Sequence, residues 1–285
     1  MKITHISDFT KKLTKLSTDK NHQLYFRGHS NKAYKLIPTL YREHNPYYEF
    51  EHKLFKETIM SCPNDFVMCN NTLEVLVKMQ HYGIPTRILD LTRNALVALY
   101  FCCISEKDSK QDGEVIVLRV PDNQICDYSS DKVTILSNLA KLSSEKIFYK
   151  IPSSFKDDDE NQIKKFNEKY FGYLLHEIRQ DKPHFFNIIN PNHINKVYAV
   201  NVKLDNPRIV RQNGAFLIFG IDGDKSKCPS IDKDWVIKPN EEKIIIPSTS
   251  KKQLLKELEI LGISKANLFP ELDDYGDYIK EKYKK

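Results

Sequence analysis

Two short segments concentrate the residue types that do chemistry: Tyr25-Phe26-Arg27-Gly28-His29 and His81-Tyr82-Gly83-Ile84-Pro85-Thr86-Arg87-Ile88-Leu89-Asp90-Leu91-Thr92. An arginine closing an aromatic strand, followed by a glycine that lets a ligand approach the backbone, suits a phosphate or carboxylate clamp, because a planar guanidinium holds two oxygens at once. His29, His81 and Asp90 add groups that can exchange a proton. In the second segment Pro85 fixes a turn, and Thr86 and Arg87 are polar residues just ahead of an apolar stretch. Each of these also has a purely structural use. Asp90 and Thr92 can cap a following helix, Arg87 can pair with Asp90 three residues on, and His81 can close a helix at the negative end of its dipole.

The elements that position these residues follow from the hydrophobic spacing. Leu24-Tyr25-Phe26 is a short strand that Gly28 and Ser30 should end. Residues 47–60 read as a helix with Phe50, Leu54, Phe55 and Ile59 on one face, and residues 72–81 as a second, stopped by Gly83 and Pro85. Asp90 to Ile104 is expected as a central buried helix capped by Thr92, since Ala95 to Ile104 has almost no polar face. A strand over 114–120, a helix over 133–142, a mobile polar loop over 143–160 and a helix over 161–180 follow. The pattern then turns to strands at 197–202, 208–211, 215–219, 235–238 and 243–246, before a helix over 251–261 and an amphipathic tail after Pro270. The expected fold is α+β, a single domain over 1–285 with a mixed or antiparallel sheet, a buried central helix and peripheral helices; its core covers about 20–275, with a helical insertion at about 125–195.

Composition agrees with a globular chain. Of 285 residues, 40% are hydrophobic and 29% charged, and 44 Lys plus Arg against 38 Asp plus Glu leave +6, too weak and too dispersed for a clear nucleic-acid footprint. The longest apolar run, Ala95 to Ile104, is half the roughly 20 residues of a membrane span, so no membrane partner is expected. The N-terminus does not read as a secretory signal, which places the protein in the cytoplasm. Six cysteines without a CxxC pair argue against a metal site and for reduced core thiols.

The same residues carry a family resemblance. Phe26-Arg27-Gly28, His81 to Thr92, Gln212-Asn213-Gly214-Ala215-Phe216 and Asn267-Leu268-Phe269-Pro270-Glu271-Leu272 resemble the signature segments of the FRG domain family, from which this chain departs at Ile88 and Leu91. That family is often seen in bacterial and phage contexts, which implies a role in conflict or defence. A strand ending in aromatic-Arg-Gly is also similar to the first motif of ADP-ribosyltransferases, whose Arg holds the pyrophosphate of NAD. The resemblance implies NAD as a substrate, with Arg27 as the clamp. Ser248-Thr249-Ser250 and Glu257 or Glu259 echo the other transferase motifs, but the serine triplet reads better as the N-cap of the helix at Lys251. Gln212, beginning a strand, then takes the ribose-contacting position, which leaves Asp90, His81 or His29 for acid-base work. The pocket is expected to gather Arg27, Arg87, Asp90 and Gln212, with Gly28, His29 and Thr86 beside them and aromatic walls from Tyr25, Phe26, Tyr82 and Phe216. The alternatives are a non-catalytic sensor of a nucleotide-like ligand or protein and, third, a nucleic-acid binder. Any acceptor, protein or nucleic acid, and the oligomeric state are left open.

Overall fold

A computed structural model describes residues 3–14, 16, 20–42, 47–203, 205–271, 276, 279, 280 and 283. The chain runs α1 (Ile6–Leu13), β1 (His22–His29), α2 (Glu51–Ser61), α3 (Pro63–Phe66), α4 (Thr72–His81), β2 (Ile88–Thr92), α5 (Ala95–Cys103), β3 (Gly113–Pro121) and β4 (Ile125–Asp127). There follow α6 (Asp131–Asn138), α7 (Glu160–Tyr170), α8 (Gly172–Asp181), α9 (Pro191–Ile194), β5 (Val197–Asn201), α10 (Pro207–Gln212), β6 (Gly214–Phe219), β7 (Val236–Ile237), β8 (Ile244–Ile246), α11 (Lys251–Ile260) and α12 (Lys265–Leu268). The fold is α+β. One mixed sheet has the order β4-β5-β6-β2-β1-β3-β7, with β8 also on β3; only β4 and β5 pair in parallel.

Alternation along the strands sorts side chains onto two faces. Tyr25, Leu89, Leu91, Leu118, Ala215 and Leu217 pack with Trp235 on one. The other is covered by two separate helical groups. Leu76, Leu136 and Leu174, from α4, α6 and α8, lie over Ile88, Tyr198, Phe216 and Ile218. Phe9, Val97 and Leu254, from α1, α5 and α11, lie over Phe26, Val115, Val117 and Ile244. The two groups part over β1 and β2, and that seam holds the site.

Several expectations change. β1 continues through Gly28 to His29, paired with β3 throughout. Asp90 to Ile104 is not one helix: residues 88–92 pair with β6 along their whole length, and the helix starts only at Ala95. Its N-cap is Asn94, whose side chain accepts from the Leu96 amide, rather than Thr92. The burial expected of it is found, with Val97, Ala98, Leu99 and Cys102 all at 0% exposure. Residues 208–211 form part of a helix because Asn206 caps the Arg208 amide, Pro207 suits the first turn, and Asn213 ends it in the left-handed region at φ 48°. The stretch 143–160 is tied down by buried Ile147 and Tyr149, the latter donating to the Ile221 carbonyl. The helix over 161–180 breaks at Phe171. Cys62 is exposed rather than a core thiol. Most of the tail after Pro270 lies outside the described residues. Among the described residues, no helix is long and apolar enough to cross a membrane, and no group of three His, Cys, Asp or Glu could hold a metal.

Candidate functional site

β1 and β2 pair at one position, Phe26 opposite Thr92. Beyond it the ladder is open, and the Arg27 side chain enters the gap: Nη1 donates to the Asp90 carbonyl and Nε to His29 Nε2 at 3.3 Å. A backbone acceptor that a neighbouring strand would normally satisfy is thus held by a side chain. The cleft encloses a cavity of about 260 Å³ whose walls include Arg27, His29, Tyr34, Arg42, Gln80, His81, Asp90, Arg208 and Gln212.

The electrostatics favour an anion. Arg27, Arg42 and Arg208 face one carboxylate, Asp90, whose nearest oxygen is 3.9 Å from Arg27 Nη1. Among the described residues, Arg42 and Arg208 have no carboxylate partner. Burial lowers the Arg27 pKa, Asp90 partly offsets that, and Arg42 adds to it. His29 is pushed down to about 3 by burial and by the Arg27 and Arg42 cations, so it is neutral. Because its Nε2 accepts from Arg27, the proton sits on Nδ1, which makes no well-formed hydrogen bond among the described residues and is left with a weak approach to the Tyr34 backbone. His81 is lowered by burial and Arg208, against Asp90 and Glu271, and its Nδ1 lies 3.3 Å from Asn206 Nδ2.

A supporting layer fixes these groups. Thr86 donates to Gln80 Oε1 at 2.7 Å, and Gln80 Nε2 donates to Asp90 Oδ2 at 2.9 Å, which orients the carboxylate. Ser30 and Tyr34 donate to Asp108, and buried Lys251 donates to the Ser30 and Asp108 carbonyls, holding the loop after β1. On the far wall Arg208 lies 4.6 Å over the Phe269 ring, and Gln212 Nε2 donates to the Leu268 carbonyl at 3.1 Å.

Arg27, His29, His81, Asp90 and Gln212 therefore meet at one cavity with Phe26, and six expected residues do other things. Tyr25, whose side chain alternates to the opposite sheet face, is buried beside Trp235 and forms no wall of the cavity. Arg87 is fully buried, with Nε and Nη2 on Glu51 at 2.7 and 2.5 Å and Nη1 on the Phe219 carbonyl, so it is a core ion pair and pairs with neither Asp90 nor a ligand. Thr86 is also buried and acts through Gln80. Phe216 is in the core, 2% exposed, under the His81 ring. Tyr82 is 70% exposed and lies in an adjoining groove. Gly28 lines the cavity, but its free side faces α5, where a Cβ would stand 1.9 Å from the Ala98 carbonyl oxygen; helix packing, not ligand access, requires glycine. Gln212 ends a helix rather than beginning a strand. Ser248 to Ser250 form a 3-10 turn with no side-chain cap on α11.

Sequence reasoning missed Tyr34, Arg42, Gln80 and Arg208. Arg208 was hidden by reading its segment as a strand, although Asn206-Pro207 signals a helix start. Gln80 stands one residue before the His81 segment, and nothing local marks Arg42.

No curated protein and no solved structure matches the chain. A family model does match, over residues 22–111, a stretch that contains the Phe26-Arg27-Gly28 strand, α4, β2 and α5. The chain carries an FRG domain.

Proposed function

We propose that the cleft between β1 and β2 binds a phosphate-bearing, nucleotide-like ligand, with NAD the leading candidate, in a cytoplasmic protein. One observation carries this reading: three arginines from distant parts of the chain converge on a cavity that supplies a single carboxylate. Charge-assisted hydrogen bonds from guanidinium groups to phosphate are among the strongest polar contacts available. NAD or ADP-ribose should bind the wild type and lose binding in Arg27→Ala, and Arg27→Lys should not restore it, because an ammonium lacks the planar fork. A wild type that ignores both ligands and binds an oligonucleotide with steep salt dependence would instead favour the nucleic-acid reading.

Asp90 favours a second, catalytic reading. Its carboxylate is oriented by Gln80 and faces the same cavity, where it would stabilise the positive charge that develops on a ribose as nicotinamide leaves. The bond broken is the glycosidic C–N bond; water or an acceptor nucleophile completes hydrolysis or ADP-ribosyl transfer. Such NAD consumption accords with the conflict role implied by the FRG resemblance. Nicotinamide release by the wild type but not by Asp90→Asn, with NAD binding retained in both, would establish it. Binding without release marks a sensor.

A further inference from the structure

The cavity at Arg27 has a neighbour. His81 and Arg208 also line a groove of about 700 Å³ between α4 and α10, lined in part by Leu73, Val77 and Ile209 and bordered by the exposed ring of Tyr82. Small-molecule sites typically enclose roughly 300–1,000 Å³, so the cavity of about 260 Å³ holds only part of a nucleotide, and the groove has room for the remainder.

The groove differs chemically from the cavity. Its lysines are committed: Lys78 lies 3.6 Å from Asp65, and Lys203 lies 3.0 Å from Glu74. That leaves Arg208 against Asp205 and Glu271, which disfavours a second phosphate there. Two buried atoms of its lining have no hydrogen-bond partner among the described residues, Arg208 Nε and Glu271 Oε2. A native fold rarely leaves such groups unmatched. Arg208, which lines both spaces, calls for an oxygen acceptor, and Glu271, in the groove, calls for a hydroxyl donor.

We infer that the ligand has two lobes, with its phosphates on Arg27 and Arg42, sugar hydroxyls on Glu271 and an aromatic base in the groove against Tyr82. This deepens the anion-site reading and rests on it. A base stacked on an aromatic ring needs no further charge, which fits the groove's apolar lining.

The test titrates two probes, inorganic pyrophosphate and ADP-ribose, into wild type, Arg27→Ala, Tyr82→Ala and Glu271→Gln, with melting curves to confirm folding. Tyr82 is mostly exposed, so its truncation leaves the core intact. The expected result is that Tyr82→Ala weakens ADP-ribose about tenfold while pyrophosphate changes by less than about twofold. Glu271→Gln should show the same selectivity, and Arg27→Ala should lose both probes. Equal affinity of the wild type for the two probes, or ADP-ribose binding unchanged in both groove variants, overturns the two-lobed ligand and leaves the anion site standing. A wild type that binds neither probe, or an Arg27→Ala that keeps both, removes the anion site and this inference with it.

Discussion

Arg27 and Arg87 stand in the two densest segments of the chain, Arg27 with its side chain 16% exposed and Arg87 with none, and their surroundings differ in kind. Arg87 is fully paired: a bidentate bond to Glu51, a third bond to the Phe219 carbonyl, and Lys225 on the same carboxylate at 2.6 Å. Burial works against its charge, and Glu51 more than offsets that, raising its pKa. Arg27 has one backbone acceptor, one neutral imidazole and a carboxylate only at 3.9 Å, and its pKa falls. The number and quality of partners, rather than burial or motif membership, separates an arginine that holds the fold from one that faces a cavity.

The largest test of that contrast is to remove each arginine. Arg87→Ala leaves Glu51 with only Lys225 of its two cations, orphans the Phe219 carbonyl and empties a large buried volume, and should cost about 3–5 kcal/mol, or prevent folding. Arg27→Ala should cost far less, about 1 kcal/mol for two hydrogen bonds that partly re-form with water. Chemical denaturation of both variants measures the difference. Equal losses would break the comparison.

Gly28 sharpens it from inside the Arg27 segment. Gly28→Ala places a methyl group 1.9 Å from a backbone oxygen of α5 and 2.7 Å from the Cys102 amide nitrogen, neither of which can swing aside. Overpacking of this kind costs about 3 kcal/mol, enough to shift α5 and with it Phe101 at the cavity wall. A Gly28→Ala protein as stable as wild type would mean that α5 sits farther from β1.

These contrasts show what was legible in the chain. The α+β class, the strands at 114–120, 197–202 and 215–219, and the density of α5 follow from alternation and apolar content, which report burial directly. Placement of Arg27, His81, Asp90 and Gln212 at a single cleft was also readable, since the signature segments contain all four. The fate of Arg87 was not: its partner Glu51 lies 36 positions away on a helix whose spacing says only which face is apolar. Nor did local pattern separate Ile88–Thr92 from the helix behind it, because five residues with one carboxylate fit either period and only pairing with β6 decides.

The cations at the cleft also predict a pH effect. His29 has an ordinary pKa of 6.5 and a folded value of about 3, lowered first by burial and then by Arg27 and Arg42; the Tyr34 backbone opposes weakly, and Lys243 adds a little. The unfolded chain binds a proton that the folded chain refuses, so this contribution is complete above pH 6.5 and drains away as pH falls toward 3. Between pH 7 and 5 the loss is about 2 kcal/mol. His52, His81 and His193 shift in the same direction, so the measurement is the difference in slope between wild type and His29→Gln. Arg27→Ala should also make the slope shallower, by removing one of the charges His29 feels. Identical slopes in all three proteins would mean that His29 does not sense the arginines.

The smallest expected effect bears on the transferase resemblance. Ser248 and Thr249 line a separate surface depression with Cys103, Ser105 and Lys252, Ser250 is buried, and none of the three lines the Arg27 cavity. The Ser248 amide donates to Asp112, whereas Glu257 accepts from the Ile6 amide and lies 2.6 Å from His5 Nδ1, tying α11 to the start of α1. These contacts make both segments structural. Thr249 is exposed, so Thr249→Ala should stay within about 0.5 kcal/mol of wild type and leave NAD titrations unchanged. Glu257→Gln should loosen the attachment of α1, visible as faster amide exchange there, again without changing ligand binding. Loss of NAD binding or of nicotinamide release in either variant would return the serine triplet and its glutamate to the site. It would also mean that Arg27 works with partners the fold now places elsewhere.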